Sequence, residues 1–113
     1  MFEAGALVLL PFPFSDAETT KRRPVLALTT PDEYGDFIGM AVSSRPHLAN
    51  TVPLQNDSLL EGCLPKPSWI RIDRVVTLNV GLVTKTFAKT KADVHQQAVH
   101  GLCEILRKQI VRA

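Results

Sequence analysis

The sequence predicts a mainly β fold, a small antiparallel barrel or curled sheet closed by one C-terminal helix. Three observations carry that expectation. Short apolar runs are separated by Pro, Gly and polar turn residues, the stretch Trp69-Ile70-Arg71-Ile72-Asp73 alternates with period two, and an apolar stripe of helical period occurs only at the end of the chain. At 113 residues with 45% hydrophobic content the chain is expected to form one domain around one core, alone or as a small oligomer. It contains no internal repeat and no low-complexity segment.

Ala6 to Leu10 is an apolar run bounded by Gly5 and Pro11, short enough for a strand buried on both faces. The following stretch, Pro11 to Lys21, mixes prolines with polar turn residues and is expected to be a loop that exposes charge. Pro24 can stand at the first position of a strand, and Val25 to Thr29 continues it. Thr30 to Asp36 reads as a turn, Phe37 to Ser44 as a third strand, and Pro46 as its stop. Between His47 and Pro67 four prolines or turn pairs leave only Thr51 to Leu54 extended, so a long connection with one short strand is expected; long loops in compact domains tend to be functional.

Trp69 to Leu78 is the fourth substantial strand. By alternation Ile70 and Ile72 share one face, and Trp69, Arg71 and Asp73 the other. Asn79-Val80-Gly81 is expected to turn the chain into a strand over Leu82 to Ala88 that pairs with its predecessor as a hairpin. Thr90 and Asp93 resemble a capping box opening a helix whose apolar stripe is Val94, Ala98, Val99, Leu102, Ile105, Leu106 and Ile110. Arg107 and Lys108 suit the negative end of that helix dipole.

A formal net charge of +2 excludes a general nucleic-acid coating protein, so any anionic partner must be met by local clusters. Three are present: Lys21, Arg22 and Arg23; Arg71 and Arg74; Arg107, Lys108 and Arg112. Each is either a solvated face or an anion-binding surface. Cys63 and Cys103 lack the spacing of a zinc site or a disulfide framework, which suits a reducing compartment. The N-terminus carries no basic region ahead of its apolar run, and no apolar stretch is long enough to span a bilayer; a cytoplasmic location without membrane attachment is expected.

Charges set into apolar strands must face water or a ligand, because burying an ion is costly. If Lys21-Arg22-Arg23-Pro24 meets Trp69-Ile70-Arg71-Ile72-Asp73 in space, a basic phosphate-binding surface lies beside a carboxylate, a pairing suited to proton transfer at a phosphodiester. The ordered segments resemble the PemK/MazF toxins of bacterial toxin–antitoxin pairs. The similar stretches are Gly5 to Phe14, Arg23-Pro24-Val25-Leu26-Ala27-Leu28-Thr29, the hydroxyl pair Ser43-Ser44, and Gly62 to Asp73, which contains the Leu-x-Lys-Pro-Ser-x-x-Arg-x-Asp pattern. Glu18 stands five residues before Arg23, the spacing of an acidic residue in part of that family. Ala6 departs from the family's usual Asp after glycine, and Ser43 keeps the hydroxyl of a Thr found in some relatives while losing a rotamer-limiting methyl.

The resemblance covers nearly the whole chain and implies a single toxin domain over residues 1–113, an SH3-like barrel, a homodimer, a cognate antitoxin and metal-independent cleavage of single-stranded RNA without a cofactor. It also implies DNA binding in company with the antitoxin. In such chemistry the RNA 2′-OH attacks the adjacent phosphorus, and the protein must remove its proton, stabilise the phosphoryl charge and protonate the leaving 5′-oxygen. Asp73 is the candidate base, or else only the ion-pair partner of Arg71 or Arg74. Arg71 and Arg23 are candidate phosphate forks, although Arg23 fits a docking loop and Arg71 an orienting role equally well. An arginine is a poor general acid because its pKa exceeds ~12, so one acting on the leaving group needs an unusual environment or a relaying water, and the sequence does not assign that acid.

Ser43 and Ser44 can hydrogen-bond phosphate or base, or satisfy local backbone. Ser43 joins Asp73, Arg71 and Arg23 as a catalytic candidate, while Ser44, Glu18, Lys21, Arg22, Trp69 and Arg74 are candidates for RNA binding, with no metal site. Trp69 suits stacking on an unpaired base or filling a core, and Phe12 and Phe14 share that ambiguity. His95 and His100 fit exposed helix positions better than acid–base roles; His47 lies in the long loop. Two alternatives use the same barrel: a toxin that inhibits DNA gyrase by binding it, and a degenerate module that binds RNA without cutting it.

Overall fold

A computed structural model of the chain describes residues 2–11, 22–46 and 49–111. Seven strands, β1 (Ala6–Pro11), β2 (Arg22–Ala27), β3 (Asp36–Ser43), β4 (Thr51–Leu54), β5 (Leu59–Gly62), β6 (Ser68–Asn79) and β7 (Lys85–Thr90), precede one helix, α1 (Ala92–Lys108). They form one antiparallel sheet in the order β4-β6-β3-β2-β1-β7-β5. The order forces curvature. Laid flat at about 4.8 Å per strand, the outer strands β4 and β5 would be roughly 29 Å apart. The five Cα steps from Leu54 to Leu59, through a 3-10 turn at Asn56–Ser58, reach at most about 18 Å. The sheet therefore curls into a half-barrel.

Each face of the sheet buries its own apolar cluster. On one face Leu7, Leu26, Met40, Val42, Ile70 and Ile72 pack with Val94 and Ala98 of α1. On the other, Val8, Leu10, Val25, Phe37, Ala41 and Leu78 pack together, with Phe2 edge-on to Phe37 at 5.0 Å between ring centroids. Alternation along β1 and β2 serves both: Leu7 and Leu26 face the helix side, Val8 and Val25 the other.

β6 does the same by breaking its alternation. Its ladder with β3 passes from Val42–Ile70 straight to Met40–Val75, so four residues, 71–74, stand where β3 offers only Ala41. The excess is odd, which swaps the faces beyond it. Ile70 and Ile72 point to the helix side, whereas Leu78, of the same sequence parity, joins the opposite cluster.

Several sequence expectations are corrected. Arg22 and Arg23 belong to β2, paired with Pro11 and Leu10, and not to a preceding loop. Pro24 stands one residue outside the β2–β3 pairing, which starts at Val25, so its missing N–H does not interrupt that ladder. The long connection holds two short strands, β4 and β5. The expected hairpin is absent: β7 pairs with β1 and β5, because a 3-10 turn at Val80–Leu82 redirects the chain and Thr84 donates both its N–H and its Oγ1 to Leu9 O.

Thr90 ends β7 and donates Oγ1 to Gly5 O at 2.9 Å, so it does not cap the helix; Lys91 is the N-cap residue. Of the predicted stripe, Val94 and Ala98 are buried and Leu102 and Ile105 half-buried, while Leu106 and Ile110 are exposed. The helix runs past the sheet that its N-terminal half covers.

Gly62 closes β5 at φ 84°, and a Cβ there would lie 2.3 Å from Phe87 O and 2.6 Å from Ala88 Cα. Both obstacles are backbone of β7. Gly62→Ala is therefore expected to destabilise the protein by roughly 1–3 kcal/mol, read as a lowered midpoint of urea unfolding; an unchanged midpoint would contradict the close β5–β7 approach.

Candidate functional site

The segment of β6 that leaves the β3 ladder carries Arg71, Asp73 and Arg74. Arg71 and Asp73 form a two-pronged ion pair, with Arg71 Nε 3.3 Å from Asp73 Oδ1 and Nη2 3.4 Å from Oδ2. Their side chains are 18% and 34% exposed, so both remain open to a ligand. Local sequence explains the arrangement: residues i and i+2 of a strand project to one side, and Ile72 between them is held in the helix-side core.

Neighbouring strands extend the same face. Trp69 lies between Ser43 of β3 and Pro53 of β4, and Arg71 lies beside Thr51 of β4. Arg23 stands two residues before Val25 in β2 and Ser43 two residues after Ala41 in β3, so both continue the face that Val25 and Ala41 share. Arg23, Ser43, Trp69 and Arg71 thus follow one another across β2, β3 and β6 where the apolar face formed by Val25 and Ala41 gives way to polar side chains. Arg23 is half-buried, with its Nε fully enclosed, and Ser43 is half-buried with Oγ accepting the Arg45 N–H at 3.1 Å.

The sequence-predicted residues therefore divide. Arg23, Ser43, Trp69, Arg71 and Asp73 share this surface; Arg22, Ser44 and Arg74, their neighbours in sequence, are exposed. Glu18, Lys21, Phe12, Phe14, His47 and Arg112 lie outside the described residues. Arg107 and Lys108 are on the last turn of α1, where Arg107 pairs with Glu104 at 3.2 Å. His95 is half-buried and donates from Nε2 to Leu28 O at 2.9 Å, a tie between helix and sheet, and His100 is exposed on the helix. Thr51 and Pro53 were not picked out by the sequence as site residues, although their short extended run was visible. Only pairing with β6 places them there.

The arrangement can bind an anion and move a proton. Two of the five N–H donors of Arg71 are directed at Asp73, leaving the rest of the fork for phosphoryl oxygens. The Asp73 carboxylate keeps lone pairs beyond the two long bonds it accepts. Among the described residues no three His, Cys, Asp or Glu side chains converge on a possible metal position, and no helix is long and apolar enough to cross a membrane. Both cysteines are exposed.

Comparison with known proteins matches this fold closely. The family model described as PemK-like, MazF-like toxin of type II toxin–antitoxin system matches residues 3–106. Among solved structures, the MazE–MazF complex of Deinococcus radiodurans is similar at 25% identity and a TM-score of 0.73, covering 93% of this chain and 95% of that one. Toxin MazF-mt6 of Mycobacterium tuberculosis is similar at 18% identity and 0.68, covering 90% and 96%. A mycobacterial endoribonuclease in complex with its cognate antitoxin is similar at 11% identity and 0.68, covering 98% and 100%. No curated protein sequence matches the chain.

Because the Arg71–Asp73 pair is partly exposed, its contribution to stability is small, of order 0–1 kcal/mol. Asp73→Asn is expected to leave the unfolding midpoint within a few degrees of the parent by circular dichroism. A large drop would mean that the pair is chiefly a structural tie.

Proposed function

The chain belongs to the PemK-like, MazF-like toxins of type II toxin–antitoxin systems, and from that premise we propose that it is a metal-independent endoribonuclease acting on single-stranded RNA. The observation that carries the proposal is the partly exposed two-pronged Arg71–Asp73 pair, with Arg23, Ser43 and Trp69 on the same surface.

In the proposed reaction the RNA 2′-oxygen attacks the adjacent phosphorus and its proton passes to Asp73, the general base. Arg71, with Arg23, stabilises the charge that gathers on the phosphoryl oxygens; such donors, already fixed in place, need no reorganisation at the transition state. Ser43 adds a hydroxyl donor to the same oxygens. The bond to the 5′-oxygen breaks, and that oxygen takes a proton from a water held by Arg71, which the proton left on Asp73 replaces, since a guanidinium itself is a weak acid. The products carry a 2′,3′-cyclic phosphate and a 5′-OH. Trp69 stacks on an unpaired base, Arg22, Ser44 and Arg74 contact the strand, and Glu18 and Lys21 are assigned to RNA binding with them. Single strands are favoured because their bases can splay onto such a surface, and RNA is required because DNA lacks the nucleophile.

The proposal takes residues 1–113 as one toxin domain, working in the cytoplasm as a homodimer and silenced by a cognate antitoxin. The structures of MazE–MazF and of the mycobacterial endoribonuclease with its antitoxin support such a partner. Leu106, Ile110 and Val111, at 59, 66 and 91% exposure, provide apolar surface for a second chain to cover.

Incubation with a mixed RNA pool in EDTA is expected to yield fragments with cyclic-phosphate and 5′-OH ends, and a 2′-deoxy substitution at the cleaved nucleotide is expected to abolish the cut. Asp73→Asn and Arg71→Ala are each expected to lower the rate by on the order of 10²-fold or more. No cleavage by the unaltered protein, or full activity in both variants, would sink the mechanism. Inhibition of DNA supercoiling without RNA fragments would replace it with gyrase binding, and salt-sensitive RNA binding without product would indicate a non-catalytic module.

A further inference from the structure

We infer that Asn50 is a positioning residue for the Arg71–Asp73 pair, acting through its main chain; the inference rests on the nuclease reading above. Asn50 is the one described non-glycine residue with positive φ, at 56°. Asn tolerates the left-handed region better than most residues, yet its occupation there by a side-chain-bearing residue is uncommon and tends to coincide with functional geometry. Here the conformation has a visible consequence: the Asn50 carbonyl accepts the Ile72 N–H at 3.1 Å.

Ile72 is the residue between Arg71 and Asp73, and it lies in the part of β6 that has left the β3 ladder. Three contacts fix that stretch. Arg71 is paired with Thr51, the Ile72 side chain enters the helix-side core beneath Gly101, and the Ile72 N–H is bound by Asn50. At Gly101 a Cβ would lie 2.7 Å from Ile72 Cδ1, so helix and strand touch through the tip of Ile72.

Beyond that contact the space behind the strand is open. A cleft of about 470 Å³ is lined by Asn50, Thr51, Ile72, Gly101 and Ile105 among others. Packing holds the Ile72 side chain on the helix side, while the backbone of the same residue is held on the β4 side by its hydrogen bond to Asn50. The Asn50–Ile72 hydrogen bond sets the height of the tripeptide, and with it the alignment of a base and a phosphate fork separated by one residue. Displacements of about 1 Å at reacting groups are known to reduce rates by up to about 10²-fold.

The test compares Asn50→Gly, which keeps the left-handed backbone, with Asn50→Ala and Asn50→Val, which disfavour it increasingly. Two measurements are made on the full chain: steady-state cleavage of a single-stranded RNA, and hydrogen exchange at the Ile72 amide by NMR. Asn50→Val is expected to lose about 10- to 100-fold in kcat with KM within about threefold of the parent, and to exchange the Ile72 amide faster while amides of β1 and β2 keep their protection. Asn50→Ala should fall between, and remains informative if the valine variant does not fold. Asn50→Gly should restore both readouts.

Parental kcat in both Asn50→Ala and Asn50→Val, an Ile72 amide unaffected by either, or an Asn50→Gly as impaired as Asn50→Val would overturn the inference. Failure of the unaltered protein to cut RNA would instead overturn the nuclease reading, and the catalytic part of the inference with it. The Ile72 exchange rates would still decide whether Asn50 pins the strand.

Discussion

The demand that one strand serve two cores governs this fold. β6 pairs with β3 along its C-terminal half and with both β3 and β4 near its start, and the apolar clusters it supplies lie on opposite faces of the sheet. A regular strand cannot change face. β6 does so by inserting an odd number of extra residues at 71–74, and the insertion bends the sheet where the half-barrel needs curvature. The residues displaced from the ladder are free to be charged. Arg71, Asp73 and Arg74 stand where the strand has left that ladder and burial is not required of them, close to Ile70 and Ile72, which remain in the core.

The same arrangement explains how charged groups coexist with an apolar face. Across β2 and β3 that face runs from Ala27 and Gly39, through Val25 and Ala41, to Arg23 and Ser43, so polarity appears only at its margin. Desolvation stays incomplete there, and an arginine facing a carboxylate at 3.3–3.4 Å recovers part of what partial burial costs. A tighter, fully buried pair would hold the carboxylate away from any substrate. The observed pair, with side chains 18% and 34% exposed, leaves the carboxylate accessible.

Much of this was legible in the chain. The strand at Ala6, the short extended run at Thr51–Leu54, the C-terminal helix and the i, i+2 placement of Arg71 and Asp73 follow from local apolar patterning, which the structure retains. Local preference misleads where long-range contact overrides it. Thr90 has the chemistry of a helix cap but donates instead to Gly5 O, 85 residues away in sequence. Asn79-Val80-Gly81 looks like a hairpin turn, but Asn79 Oδ1 accepts the Gly81 N–H inside a 3-10 turn that sends β7 across to β1.

The sequence alone determined which residues are apolar and with what period, and therefore that a β-rich domain with a terminal helix would form and that Arg71 and Asp73 would project together. Those properties are set by covalent geometry within a few residues. It could not decide that β4 borders Trp69 and Arg71, that Arg23 and Ser43 lie on adjacent strands of one face, or that Asn50 takes a left-handed backbone to bind Ile72. Each depends on strand order and register, which are fixed only when the whole sheet closes and both of its faces are buried at once.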